Sequence, residues 1–169
     1  MTFPRLSRRA MTRLLLVSPL SSSLLGCGGE SEGGGGGGGG GAAGTESSFA
    51  FEVGDAMAYN ITEMRVSAGA EITVSIQHTG QMPKNAMGHN FVLLQSGTNV
   101  EAFAAKAVAA ADSEYIPASE SAAIIAHTKL VGGGESDEIT FTAPPAGTYE
   151  YICSYPGHYS IMRGTLTSV

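Results

Sequence analysis

Residues 153 to 162 read CSYPGHYSIM: a cysteine, a histidine five positions on, and a methionine four beyond that. A thiolate, an imidazole and a thioether this close together form a donor set that suits copper better than zinc, calcium or magnesium. The missing donor is a second histidine from elsewhere in the chain. Whatever fold forms must therefore bring a distant segment against this one.

The cysteine count sharpens the point, because the chain has only two, Cys27 and Cys153. Residues 1–26 carry Arg5, Arg8, Arg9 and Arg13, then an apolar run from Leu14 to Leu25 and the small residue Gly26. This is the pattern of a signal peptide, too short to span a membrane as a helix. Within it, SRRAMTR resembles the twin-arginine export signal, although Met11 stands where that pattern prefers phenylalanine, which leaves both export routes open. LLGC, residues 24–27, resembles the lipobox of bacterial lipoproteins and marks Cys27 for acylation, the alternative being a plain secretory signal cleaved further on. Acylation by more than one chain satisfies the rule that stable anchoring needs two hydrophobic signals.

Residues 27–46 are a lipidated cysteine followed by a glycine-rich linker with nothing to build a core. Such a tether of about 20 residues reaches roughly 25 Å. With Cys27 acylated, Cys153 is the last thiol in an exported domain and has no internal partner. A metal would protect it. The chain has nine Lys and Arg against fifteen Asp and Glu, and removal of the signal takes four arginines and no acid, leaving a charge near −10. That balance excludes nucleic acid as a partner.

From residue 47 to 169 the chain reads as short strands separated by turns, at 70–78, 89–94, 137–143, 147–153 and 162–169. One stretch differs: NVEAFAAKAVAAADSEYI, residues 99–116, is alanine-rich, begins at a capping Thr98 or Asn99, and predicts a helix. Strands at this spacing without a βαβ rhythm predict an all-β antiparallel sandwich with one helical flap on a long connection. In that frame Cys153 ends one strand, Met162 begins the next, and His89 opens an earlier one. Gly88 removes a side chain where backbone approaches closely.

The segments PKNAMGHNFVL (83–93), AHTKLVGGGESDEITF (126–141) and YICSYPGHYSIMRGTLT (151–167) resemble the azurins, blue copper proteins of the cupredoxin family, and the likeness covers nearly all of 47–169. The resemblance implies a Greek-key β-sandwich and one type 1 copper ion. His89, Cys153 and His158 fall on the strong ligands, with Met162 and the carbonyl of Gly88 as weak axial donors. Asn90 falls on the residue that ties the two ligand segments together. Met82, Met87, Tyr155, Pro156 and Gly157 fall on the apolar surface around the outer histidine, where redox partners dock. Two departures stand out: the azurin disulfide is missing, a loss that typically costs about 2 to 5 kcal/mol, and Phe91 replaces a buried tryptophan. The lipid anchor and tether are foreign to soluble azurins and are similar to those of membrane-bound auracyanins.

The function implied is one-electron transfer, not catalysis, with c-type cytochromes or membrane electron-transfer complexes as partners. The protein is then an exported, membrane-anchored lipoprotein facing the periplasm or the cell exterior. A copper-delivery protein of the cell envelope is the alternative, but it calls for an open, exchangeable site. An enzyme of the multicopper oxidase or nitrite reductase kind needs further copper ligands. His78 and His127 read as structural histidines, and the acidic residues as a solvated face with no catalytic pairing.

Overall fold

A computed structural model describes residues 44–169. The expected signal peptide, Cys27 and the glycine-rich run through residue 43 lie outside the described residues. Backbone pairing starts at the edge of the expected linker, where the Glu46 N–H donates to the Arg65 carbonyl at 2.9 Å.

Alternation builds the first layer. In β1 (Ser48–Val53) Phe49, Phe51 and Val53 are buried, and in β3 (Glu71–His78) Ile72, Val74, Ile76 and His78 are buried, while the residues between them face outward. With β6 (Ser136–Thr142) these strands form a three-stranded sheet in the order β1-β3-β6. The facing sheet has five strands in the order β2-β8-β7-β4-β5, made of β2 (Glu63–Val66), β4 (Val92–Leu94), β5 (Ile124–His127), β7 (Gly147–Ile152) and β8 (Arg163–Ser168). Beyond the five stretches legible as strands, β1, β2 and β5 complete the sheets. The sandwich is mostly antiparallel, with two exceptions: β1 runs parallel to β3, and β2 parallel to β8. Parallel neighbours need a crossover. The chain provides one by leaving β1 for β2 in the opposite sheet before returning as β3.

Between the sheets the core centres on aromatic rings. Phe91, at the position of the expected tryptophan, is completely buried, 5.2 Å from Phe51 and 5.1 Å from Tyr151 between ring centroids. Tyr151 and Tyr59 are the amphipathic members: their hydroxyls donate to the carbonyls of Ile61 (2.9 Å) and Asn90 (2.5 Å).

A second, smaller core explains why β4 is buried on both faces. Leu93 packs into the sandwich, whereas Val92 and Leu94 join Ile152, Val100, Phe103 and Ala107 under the flap helix α2 (Val100–Val108). Residues 100, 103, 104 and 107 are the buried face of α2, the spacing of a helix lying on a sheet. Asn99 caps it, its side chain accepting from the Ala102 N–H at 2.9 Å. The helix is shorter than its alanine content predicts. After Val108 the chain tightens into a 3₁₀ turn at Ala111–Ser113 and then adopts left-handed backbone at Glu114 and Tyr115, where tertiary contacts override local propensity.

Candidate metal centre

Two loops meet at one end of the sandwich. The β3–β4 loop carries a single helical turn, α1 (Lys84–Met87), then Gly88 and His89. His89 does not open a strand proper but is pinned by a bridge to Val131, with N–H to carbonyl distances of 3.0 and 2.8 Å. The β7–β8 loop carries Cys153, His158 and Met162. Gly157 takes φ 81°, the left-handed turn that starts the 3₁₀ segment His158–Ser160. The loop is closed by Cys153 N–H to the Met162 carbonyl (3.0 Å) and Met162 N–H to the His158 carbonyl (2.8 Å).

The three strong donors converge. Sγ of Cys153 lies 3.6 Å from Nδ1 of His158 and 3.9 Å from Nδ1 of His89, and all three donor atoms lie within 4.8 Å of one another. Nε2 of His89 faces the carbonyl of Gly54 at 2.8 Å, so it carries the proton and Nδ1 presents a lone pair to the site. The Gly88 carbonyl is 4.0 Å from the same sulfur. Only glycine fits there, since a Cβ would stand 2.5 Å from the Lys84 carbonyl and 2.8 Å from Cδ2 of Leu130. The Met162 side chain is completely buried.

Asn90 joins the two loops. Its Oδ1 accepts from the Ser154 N–H at 2.9 Å, its Nδ2 donates to the Ser154 hydroxyl at 2.8 Å, and it is fully buried. Burial also sets the ionisation of the donors. It pushes the Cys153 thiol up to about 12 and, with the neighbouring His89 adding repulsion, pulls His158 down to about 4. His89 is lowered by burial as well.

Residues 46–168 match the family described as copper binding proteins, plastocyanin/azurin family. The chain belongs to that family. Azurin of Achromobacter denitrificans is 42% identical over 119 residues, spanning 68% of this chain and 79% of that protein. Outer membrane protein H.8 of Neisseria meningitidis serogroup B is 39% identical over 123 residues, 70% of this chain and 65% of that one. The crystal structure of dithionite-reduced auracyanin from Roseiflexus castenholzii aligns with a TM-score of 0.67 at 36% identity, covering 75% of this chain and 99% of the other. In a copper-binding family, a buried trio of one thiol and two imidazoles whose donor atoms converge is a site fitted to one type 1 copper ion.

His78, which reads as a packing histidine in the sequence, lies directly behind a ligand. It is completely buried and stacks on His89, with centroids 5.2 Å apart at 28°. The Gly80 N–H donates to its Nδ1 at 3.1 Å, so Nε2 carries the proton and donates to the Met87 carbonyl at 3.1 Å. The signal was its place in the inward alternation of β3. His127 sits exposed on β5.

His158 keeps 3% exposure where His89 and Cys153 have none, so it is the strong donor that touches solvent. Tyr155, whose ring lies 4.6 Å from that of His158, is half-buried like Pro156, Gly157 is exposed, and Met82, on the other loop, is 37% exposed. A cleft of about 510 Å³ along β2 and β8 is lined by Glu46, Phe49, Glu63, Met64, Arg65, Thr165 and Thr167, with neither cysteine nor histidine.

Proposed function

We propose that the domain is a one-electron carrier in which His89, Cys153 and His158 hold the copper ion, with Met162 and the Gly88 carbonyl as weaker donors. Bound there, copper supplies a Cu(I)/Cu(II) couple served in both states by the same soft and borderline donors. The observation that carries the reading is burial: Cys153 and His89 are wholly covered and His158 nearly so, which leaves no open position for a substrate of the kind catalytic metal sites keep. The chain also holds its donors in advance. The Gly54 carbonyl fixes the tautomer of His89, the Val131 bridge fixes its backbone, and Asn90 locks the cysteine loop to it. A closed, prearranged site suits electron transfer better than copper delivery, which needs exchange.

Electrons pass through His158 across the apolar surface of Met82, Met87, Tyr155, Pro156 and Gly157 to partners such as c-type cytochromes or membrane electron-transfer complexes. Residues 1–46, read as a signal peptide, an acylated Cys27 and a linker, would tether the domain to a membrane outside the cytoplasm, and kinship with a protein named for the outer membrane supports this. The test is the copper-loaded, full-length protein. It should be intensely blue when oxidised, and Cys153→Ser should abolish the colour. Met162→Leu should stay blue with a raised potential, because loss of a weak donor favours Cu(I). A colourless copper-loaded wild type would overturn the reading.

A further inference from the structure

The flap returns to the sandwich through two consecutive non-glycine residues in left-handed backbone, Glu114 at φ 54° and Tyr115 at φ 62°. Side chains with a Cβ are disfavoured there, and such conformations persist only where surrounding contacts over-determine them. Glu114 makes its contacts on and beside the loop of His89, and Tyr115 on the loop of His158.

Glu114 faces the His89 segment. Its Oε2 accepts from the Leu130 N–H at 3.1 Å, its Oε1 lies 3.4 Å from Nζ of Lys84, and its carbonyl lies 3.5 Å from Nδ2 of Asn90. The Lys84 and Glu114 side chains are 40% and 41% exposed, so their ion pair contributes little, and the bond to Leu130 is the firmer hold. That hold matters because Leu130 packs on Gly88, in the space a Cβ would take. Tyr115 faces the other loop. Its ring meets Tyr155 edge to face at 5.0 Å and 69°, and Tyr155 in turn lies against the His158 ring at 4.6 Å. The Tyr155 hydroxyl donates across to the Asn85 carbonyl of α1 at 2.8 Å.

We infer that the Glu114–Tyr115 turn is a positioning brace for the metal centre, Glu114 steadying the Gly88–His89 segment through Leu130 and Tyr115 steadying His158 through Tyr155. The inference rests on the copper reading for the identity of the ion, while the brace itself is a property of the chain. It gives the flap a role beyond covering β4.

Three variants test it. Glu114→Gly accepts the left-handed backbone without strain and removes the carboxylate, Tyr115→Leu removes the ring, and Tyr115→Phe keeps it. If the turn were only structural, Glu114→Gly would be neutral or stabilising and leave the site untouched. The brace predicts faster hydrogen–deuterium exchange in the metal-free full-length protein, at residues 84–90 for Glu114→Gly and at residues 153–162 for Tyr115→Leu. It also predicts a copper dissociation constant raised on the order of tenfold in both, as for other supporting residues behind ligands, with shifted copper hyperfine splitting in electron paramagnetic resonance. Tyr115→Phe should match wild type in every measurement. Folded variants with wild-type exchange and affinity would overturn the brace. If Tyr115→Leu fails to fold, Glu114→Gly still decides. A wild type that takes up no copper would count against the copper reading alone, since the exchange arm still measures the brace.

Discussion

Burial displaces Cys153 and His158 in opposite directions, so at neutral pH the metal-free pocket holds a protonated thiol beside neutral rings. Metal uptake must then release the proton of Cys153. For stability the sign is definite. The His158 ring stays neutral in the fold down to about 4, but takes a proton near 6.5 in the unfolded chain, so stability is lost as pH falls through that window. His89, lowered for the same reason, acts in the same direction. The metal-free protein should therefore melt at a lower temperature at a pH of about 5 than at about 7, with a larger drop in the copper-loaded protein, whose fold keeps both rings and the Cys153 sulfur deprotonated while the unfolded chain takes those protons up. Equal melting temperatures without copper would mean that the rings accept protons at no cost to the fold. At this scale the sequence is unevenly legible. Cys153, His158 and Met162 stand out because three donors fall within one short segment, whereas His78 acquires its role only when β3 and the His89 loop are brought together.

The elements show the same division between local and tertiary information. β1 carries a readable alternation in Phe49, Phe51 and Val53, but β2 and β5 have four residues each, too few to display a period. The flap helix is legible in kind and not in length. Its cap and its buried face at Val100, Phe103, Ala104 and Ala107 follow from residues close in sequence, while its early end follows from contacts of Glu114 with Leu130 and Lys84. Because the cap is local, its loss should be local too. Asn99→Ala leaves the Ala102 N–H without its partner and should cost about 1 kcal/mol in urea unfolding. The visible spectrum of the copper-loaded protein should not change, as Asn99 contacts neither ligand loop through this bond. A cost well under half of that would mean that packing of Phe103 and Ala107, not capping, holds the helix start.

At the scale of the whole molecule, charge is the property most legible from composition, and the structure adds where it cancels. Lys84, Lys106, Lys129 and Arg163 each sit beside a Glu or Asp, so their positive charges are neutralised at short range. Glu46, Glu52, Glu63, Glu71 and Glu138 have no such partner among the described residues. The field felt at a distance is therefore negative, although the residues proposed for electron exit, Met82, Met87, Pro156 and Gly157, are themselves uncharged, with Asp55 beside Met82 and Glu101 beside Pro156 and Gly157 at the border. Long-range attraction and short-range docking are thus separate properties of the molecule. Salt should act on the first: the bimolecular rate with a basic cytochrome c should fall on the order of tenfold from low to high ionic strength. Screening shortens the field from about 30 Å at 0.01 M to about 3 Å at 1 M. Met87→Lys should act on the second. It makes the protein less negative, yet it places a charge where apolar contact is needed, so stopped-flow electron transfer at high salt should be slower than in wild type while the spectrum stays the same. Equal high-salt rates in the two proteins would mean that electrons leave by another face.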